Sequence, residues 1–170
     1  MTYVRGLGGQ LVLFVLSLLG IGIAIYLTAV HYENVPLVCS VSGFVDCAHV
    51  LSSSYSVVPG TAIPITIPGL FWCIISGTLA FVNWRLRPEH RILHIAAFAW
   101  SLVGMLTVFY LVYVEIVQLR TICAWCTALH VIILTIFLIA GLQLSTPEVA
   151  TAYDQEEENV PLTLTRDERK

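Results

Sequence analysis

Four of the five cysteines in this sequence fall into two close pairs, and these pairs are the residues best placed to do chemistry. Cys123 and Cys126 are three positions apart, whereas Cys39 and Cys47 enclose seven residues. Thiols at such spacings are typical of disulfides, of redox centres that exchange disulfides, and of metal sites. The remaining cysteine, Cys73, lies in an apolar stretch and is expected to be a small buried side chain.

Cys123-Ala-Trp-Cys126 stands at the expected start of a helix, where both thiols would lie on one face within reach of a disulfide. Unpaired amides and the positive dipole end of a helix N-terminus stabilise a thiolate, so the thiol pKa falls below its free value of about 8.5. The thiolate is the species that attacks a disulfide or donates electrons to an electrophilic ring. The CxxC pair therefore predicts thiol–disulfide redox chemistry.

Cys39 and Cys47 would close a small ring in a loop, with Gly43 between them to allow a tight bend. A disulfide in such a loop can react with a soluble thiol protein and then with the CxxC pair, because exchange requires only that a thiolate reach a sulfur atom. A purely structural disulfide is an equally good interpretation of this pair taken alone. Four cysteines can also form a Cys₄ zinc site, although the seven-residue spacing fits such a site poorly.

The elements that position these cysteines are predicted to be transmembrane helices. The 170-residue chain is 58% hydrophobic and 11% charged, too apolar for a soluble domain of this length. About 20 apolar residues cross a hydrocarbon core of about 30 Å, and backbone amides in lipid find their partners within helices. We therefore predict an all-α integral membrane protein, a four-helix bundle with helices at about 11–30, 64–84, 92–116 and 122–142 and an extracytoplasmic loop at 31–63.

The distribution of Lys and Arg predicts the orientation of the bundle, because positive charge is retained on the cytoplasmic side. Basic residues precede the first helix, separate the second from the third, and follow the fourth, whereas the 31–63 loop has none. Both termini are thus expected in the cytoplasm, with the cysteine pairs outside the cell membrane, where disulfides persist. The redox domain is expected at 1–143 and a flexible acidic cytoplasmic tail at 144–170; no basic patch suggests a nucleic-acid partner.

His130 follows Cys126 by one helical turn, so the two are predicted to share a helix face with Cys123. Ionisable groups at membrane depth usually line a cavity or relay protons, and reduction of a quinone consumes two protons along with two electrons. His130 is therefore a candidate hydrogen-bond or proton donor to a quinone oxygen. A packing histidine bonded to a neighbouring backbone carbonyl is an equally good interpretation.

Aromatic side chains are expected at the same end of the bundle. Trp125 lies within the CxxC pair, and Tyr110 and Tyr113 occupy the outer end of the third helix. Flat rings with polar tips suit a quinone head group, although an interfacial aromatic belt is the commoner reason for them. Glu115 lies in the same region and either tunes the site or pairs with Arg120, the ion pair being the simpler interpretation.

The sequence resembles the vitamin K epoxide reductase family, including its bacterial and archaeal homologues. The similar residues are Cys39-Ser-Val-Ser-Gly-Phe-Val-Asp-Cys47, the following Ala-His-Val-Leu-Ser-Ser53, and Cys123-Ala-Trp-Cys126 at the start of the last helix. The resemblance spans roughly residues 8–142. A loop pair, a serine six positions after its second cysteine and a late CxxC are together quite specific.

The resemblance implies a four-helix bundle around a quinone, with electrons passing from the loop cysteines to the CxxC pair and then to the ring. By position, Cys126 would be the quinone-side thiol and Cys123 its exchange partner. Cys47 would form a mixed disulfide with Cys123, and Cys39 would meet the external reductant. Ser53 would be the family serine near the site, although a polar cap on a short loop helix explains it equally well.

The sequence departs from some members of the family at two positions. Members of the vitamin K recycling type carry a tyrosine four residues after the final cysteine, where this chain has His130, and an asparagine near the second helix, where only Thr66 is polar. The resemblance therefore implies reduction of ubiquinone or menaquinone more directly than reduction of vitamin K epoxide. Many bacterial homologues carry a fused thioredoxin-like domain that this sequence lacks, so a separate thioredoxin-like protein is the expected partner.

These observations together predict a quinone-dependent thiol–disulfide oxidoreductase that supports disulfide bond formation. A vitamin K quinone or epoxide reductase is the alternative within the enzymes. A non-catalytic membrane protein, with structural disulfides or a Cys₄ zinc site, is the alternative of a different class.

Overall fold

Four long helices form the body of the computed structural model, which describes residues 7–33, 37–39, 43–85 and 91–144. The long helices are α1 (Leu7–Glu33), α3 (Thr66–Arg85), α4 (Arg91–Tyr113) and α5 (Ala124–Leu144). The connection between α1 and α3 carries a short helix, α2 (Cys47–Leu51), and a 3₁₀ turn at Ser54–Ser56. The predicted acidic tail lies, apart from Leu144, outside the described residues.

All four long helices are long and apolar enough to cross a membrane, with mean hydropathy between 1.5 and 2.5 over their most apolar windows. Large apolar side chains cover their outer surfaces; Phe71 is 63% exposed and Leu106 61%. Such exposure is stable in lipid and unfavourable in water. The predicted all-α, four-helix membrane protein is therefore confirmed.

The helix bounds differ from the prediction by more than two residues in two of the helices, α1 and α4. α1 extends beyond 11–30 in both directions, because a helix can continue past the hydrocarbon core through less apolar residues that hydropathy does not mark. The third span was expected to end near residue 116. Instead α4 ends at Tyr113 and continues as a π-helical segment, Val114–Leu119, which widens the helix next to the CxxC pair.

Small residues allow α1 and α3 to approach each other closely. Gly20 of α1 lies against the thiol of Cys73, and Gly77 of α3 lies against Ser17. Lipid gives apolar helices no hydrophobic reason to associate, so close van der Waals packing at small residues has to hold them together. Cys73 is fully buried in this contact with a free thiol, as the sequence predicted.

Two tryptophans join α3 to α4 by reciprocal hydrogen bonds. The indole N–H of Trp72 donates to the carbonyl of Trp100 at 3.2 Å, and the indole N–H of Trp100 donates to the carbonyl of Trp72 at 3.3 Å. Gly104 leaves the space that the Trp72 ring occupies. This contact sets the separation of two helices that line the candidate site.

Replacing Gly104 by alanine is expected to destabilise the bundle, because the added Cβ would overlap the Trp72 ring. Overpacking of this kind costs about 1–3 kcal/mol. Gly22→Ala is the matched control, since Gly22 is exposed on α1 and a Cβ there would meet nothing within 4 Å. Thermal unfolding in detergent should show a lower midpoint for Gly104→Ala only; equal midpoints would contradict this packing.

Candidate functional site

Backbone hydrogen bonds bring the two cysteine pairs together at one end of the bundle. The N–H of Ile122 donates to the carbonyl of Phe44 at 2.8 Å, and the N–H of Asp46 donates to the carbonyl of Ile122 at 3.2 Å. These bonds form a short parallel bridge between the α1–α3 connection and the segment before α5. Since Cys47 follows Asp46 and Cys123 follows Ile122, the bridge places one cysteine of each pair next to the other.

Cys39 and Cys47 form a disulfide, with their Cα atoms 6.2 Å apart. Gly43 between them adopts a left-handed conformation (φ +56°), which supplies the bend expected from the sequence. Cys47 opens α2 and is fully buried, and Asp46 caps that helix by accepting the N–H of His49 at 3.0 Å. Cys39 remains partly exposed. Cys39 is therefore the more accessible sulfur of this pair.

Cys123 lies just before α5 and caps it through its sulfur. Its Sγ accepts the backbone N–H of Cys126 at 3.3 Å and the thiol of Cys126 at 2.7 Å. The hydrogen bond from the Cys126 thiol holds the pKa of Cys123 below its usual range, while burial and the charge of Glu115 act in the opposite direction. Cys123 is thus the more readily ionised thiol of the pair, although it caps α5 and does not lie within the helix as predicted.

The four paired cysteines do not form a cluster of four free thiols, because Cys39 and Cys47 are joined to each other. Throughout the described ranges, no group of three or more His, Cys, Asp or Glu residues is placed to hold a metal ion. This arrangement does not favour the Cys₄ zinc alternative.

Two cavities meet at the thiol of Cys126. The rim cavity has a volume of about 60 Å³ and lies between the α1–α3 connection and the adjacent ends of α4 and α5. The inner cavity has a volume of about 370 Å³ and lies deeper, among the long helices. The residues common to both are Ile65, Thr66, Leu111, Cys126 and His130. A small molecule in either cavity would therefore reach Cys126.

The inner cavity is largely apolar and extends to the surface of the bundle. Phe71 of α3 and Val103 of α4 line it and are 63% and 51% exposed, so it opens between these helices towards the lipid. Thr66 and His130 are buried polar groups on its walls, and the Thr66 hydroxyl lies 2.8 Å from that of Thr28. Its volume falls within the range of about 300–1,000 Å³ typical of small-molecule sites.

The rim cavity contains Ser53, which the resemblance placed near the site. Its hydroxyl donates to the carbonyl of Val50 at 2.7 Å, so it also closes the end of α2. His31 and Tyr55 line the same cavity and were missed by the sequence analysis. His31 directly follows the first predicted membrane helix and lies in the last turn of α1, where an ionisable residue is a signal of function.

Glu115 is buried in the π-helical segment and lines the rim cavity, where its carboxylate interacts with the Cys126 thiol. Arg120 is exposed and, within the part of the chain described, forms no ion pair with Glu115. The expected ion pair is therefore wrong. The π-helical geometry turns Glu115 inwards, whereas Arg120 ends the segment in a left-handed conformation (φ 52°) with its side chain outside.

Three aromatic residues expected at the ring do not line either cavity. Tyr110 and Tyr113 are 48% and 53% exposed on the outer surface of α4. Trp125 donates its indole N–H to the carbonyl of Val38 at 2.9 Å, and its ring lies 5.0 Å from that of Tyr26. Trp125 thus fastens the segment before Cys39 to the bundle.

Replacing Cys126 by alanine is expected to raise the pKa of Cys123, because it removes the hydrogen bond that does most to stabilise the thiolate. Alkylation of Cys123 by iodoacetamide, followed by peptide mass spectrometry across a pH series, measures this change. The pH at which alkylation of Cys123 becomes fast should be higher in Cys126→Ala than in the wild-type protein. It should be unchanged in Cys73→Ala, the control, because Cys73 is buried in the contact between α1 and α3. An unchanged profile in Cys126→Ala would contradict the proposed thiolate stabilisation.

Comparison with known proteins agrees with this geometry. A family model described as the vitamin K epoxide reductase family matches residues 11–140, which include both cysteine pairs and the residues of both cavities. A search of curated proteins gave no match to the chain. The family consists of membrane oxidoreductases, in keeping with four membrane-spanning helices and a thiol pair beside a cavity. Because the matched region is most of its length, this chain belongs to the vitamin K epoxide reductase family.

Proposed function

We propose that this protein is a quinone-linked thiol–disulfide oxidoreductase that carries electrons from a reduced thioredoxin-like protein to a membrane quinone and so supports disulfide bond formation. The observation that carries this proposal is the position of the CxxC pair. Cys123 lies against the loop that holds the other pair, and Cys126 faces a cavity that opens towards lipid. One dithiol can therefore exchange with sulfur on one side and with a membrane-soluble ring on the other.

Electrons enter at Cys39, the partly exposed sulfur of the loop disulfide. A thiolate of the soluble partner attacks Cys39, and Cys47 leaves as a thiolate; the second thiol of the partner then releases the oxidised partner. When the CxxC pair is oxidised, Cys47 attacks Cys123 and Cys126 leaves as a thiolate. Cys39 then attacks Cys47, which restores the loop disulfide and leaves the CxxC pair reduced.

The inner cavity suits a quinone in size and in chemistry. Its apolar walls would bury a ring, and its opening between α3 and α4 would let a prenyl tail extend into lipid. His130 finds no hydrogen-bond partner in the described part of the chain, so its ring nitrogens are available to an oxygen of the acceptor. Thr66 supplies a hydroxyl on the same wall. A bound quinone would accept two electrons and two protons from the site.

We further propose that the cysteine pairs face the outside of a bacterial cell membrane. Arg85 ends α3 and Arg91 begins α4 at the opposite end of the bundle, whereas the described residues of the α1–α3 connection contain no Lys or Arg. Positive charge is retained in the cytoplasm, so the cysteine end would be extracytoplasmic. Disulfides form and persist in that compartment.

Anaerobic titration of the reduced protein with ubiquinone or menaquinone tests the activity directly. The proposal predicts the loss of two thiols for each quinone reduced, counted by thiol labelling and by quinol absorbance. Cys73→Ala is the control, because Cys73 is a free cysteine outside both pairs. Thiols that stay reduced while quinone is present would contradict the proposal.

Separate variants of the two pairs should affect different half-reactions. Cys126→Ala is expected to abolish quinone reduction with any reductant, since the CxxC disulfide cannot form. Cys39→Ala is expected to block turnover with the protein partner but to spare quinone reduction driven by a small dithiol, which can reach the inner pair without the loop. Equal loss of dithiol activity in both variants would contradict a two-stage relay.

Replacing His130 by glutamine is expected to weaken quinone binding. Loss of one well-placed hydrogen bond costs about 0.5–1.5 kcal/mol, so KM for quinone should rise about 2- to 13-fold. His94→Gln is the matched control, because His94 also lies in a membrane helix but does not line either cavity. The same KM in both variants would remove His130 from the proposed quinone site.

A further inference from the structure

A buried carboxylate faces the reactive thiols from the end of α4. Glu115 is 6% exposed and lies within a π-helical segment, Val114–Leu119. A carboxylate in a membrane-spanning helix has a high free-energy cost, so such a residue usually has a function. π-helical turns are also frequent at functional sites. If the role of Glu115 were structural, a neighbouring cation would be expected to pair with its carboxylate. Arg120 is exposed, however, and no residue in the described part of the chain forms an ion pair with Glu115.

The backbone fixes Glu115 relative to the CxxC pair. Its carbonyl accepts the N–H groups of Arg120 and Thr121, the latter at 3.0 Å. Only Ile122 then separates Thr121 from Cys123. Glu115 and the thiol pair are thus joined by a short, hydrogen-bonded turn, so the position of the carboxylate does not depend on a long flexible loop.

The carboxylate acts on both thiols of the pair. It interacts with the thiol of Cys126 in the rim cavity, and its charge opposes ionisation of Cys123. The other titratable groups around this cavity are His31 from α1, Tyr55 from the loop and His130 from α5. Glu115 is the one of these acid–base groups that interacts with both cysteines.

We propose that Glu115 is the acid–base group of the CxxC pair, which takes the proton of the Cys126 thiol as the disulfide forms and passes it to an oxygen of the reduced acceptor. This role rests on the proposed quinone reduction. The reduced pair begins as a Cys123 thiolate and a Cys126 thiol. Formation of the S–S bond releases two electrons to the quinone, the Cys126 proton travels through Glu115, and the second proton comes from water at the rim. The products are one disulfide and one quinol.

Glu115→Gln keeps the shape of the side chain but removes its charge and its ability to accept a proton. With quinone, the rate of thiol oxidation should fall about 100-fold or more, and the rate of Glu115→Asp should fall less. Without quinone, alkylation of Cys123 should become fast at a lower pH, because a charge that opposes the thiolate has been removed. Reduction of the Cys39–Cys47 disulfide by a soluble dithiol should be unchanged.

Gln118→Ala is the matched control, since Gln118 is exposed on the same π-helical segment. A Glu115→Gln protein that oxidises at the wild-type rate across the pH range would overturn the role of Glu115. Loss of both half-reactions together with a lower thermal midpoint would also overturn it, because that pattern indicates a structural residue. A wild-type protein that reduces no quinone would instead overturn the proposed function, so the two failures are distinguishable.

Discussion

The short parallel bridge between Phe44–Asp46 and Ile122 is the interaction on which the rest of the structure depends. It joins two segments that are distant in sequence, and each segment leads directly into a cysteine. Cys47 and Cys123 are both fully buried beside it, where the proposed exchange between them would be shielded from solvent. Without the bridge, the two cysteine pairs would be isolated from each other. With it, the partly exposed Cys39 and the cavity-facing Cys126 can form the two ends of the proposed electron path.

Lipid imposes the second constraint, because a buried polar group in a membrane-spanning bundle has a high free-energy cost unless it is hydrogen-bonded, and it is otherwise usually functional. At the end opposite the cysteines, the side-chain amide N–H of Gln10 on α1 donates to the side-chain carbonyl of Gln143 on α5 at 2.7 Å. At the cysteine end, His130 and Glu115 instead line cavities beside a thiol. The first pair stabilises helix packing, whereas the second two groups are free to act on a ligand or a proton. In the proposed mechanism, buried polar residues thus have structural or chemical roles according to the end of the bundle at which they lie.

Much of the fold could be predicted from the sequence, because the thickness of a membrane dictates the length and hydropathy of its helices. The spacing of Cys39 and Cys47 also predicted a disulfide, although it left a zinc site open as an alternative. The cavities did not, since their walls come from four helices whose contacts depend on close packing at positions such as Gly104. The contact of Glu115 with Cys126 was missed for a related reason: hydropathy carries no sign of a π-helical turn, and that turn changes which way a side chain points. Trp125 is a candidate ring contact from the sequence because a flat side chain with a polar tip suits a quinone, whereas in the structure its indole N–H donates to the carbonyl of Val38.

Disulfide trapping in a double variant tests the juxtaposition of the two pairs most directly. Substitution of Cys39 and Cys126 by serine leaves Cys47 and Cys123 as the only partners beside the bridge, and the complementary double variant leaves Cys39 and Cys126. After mild oxidation in detergent, peptide mass spectrometry should find the Cys47–Cys123 disulfide as the major species in the first variant and little cross-link in the second. Free, alkylatable Cys47 and Cys123 after oxidation would contradict the central claim that the two dithiols meet.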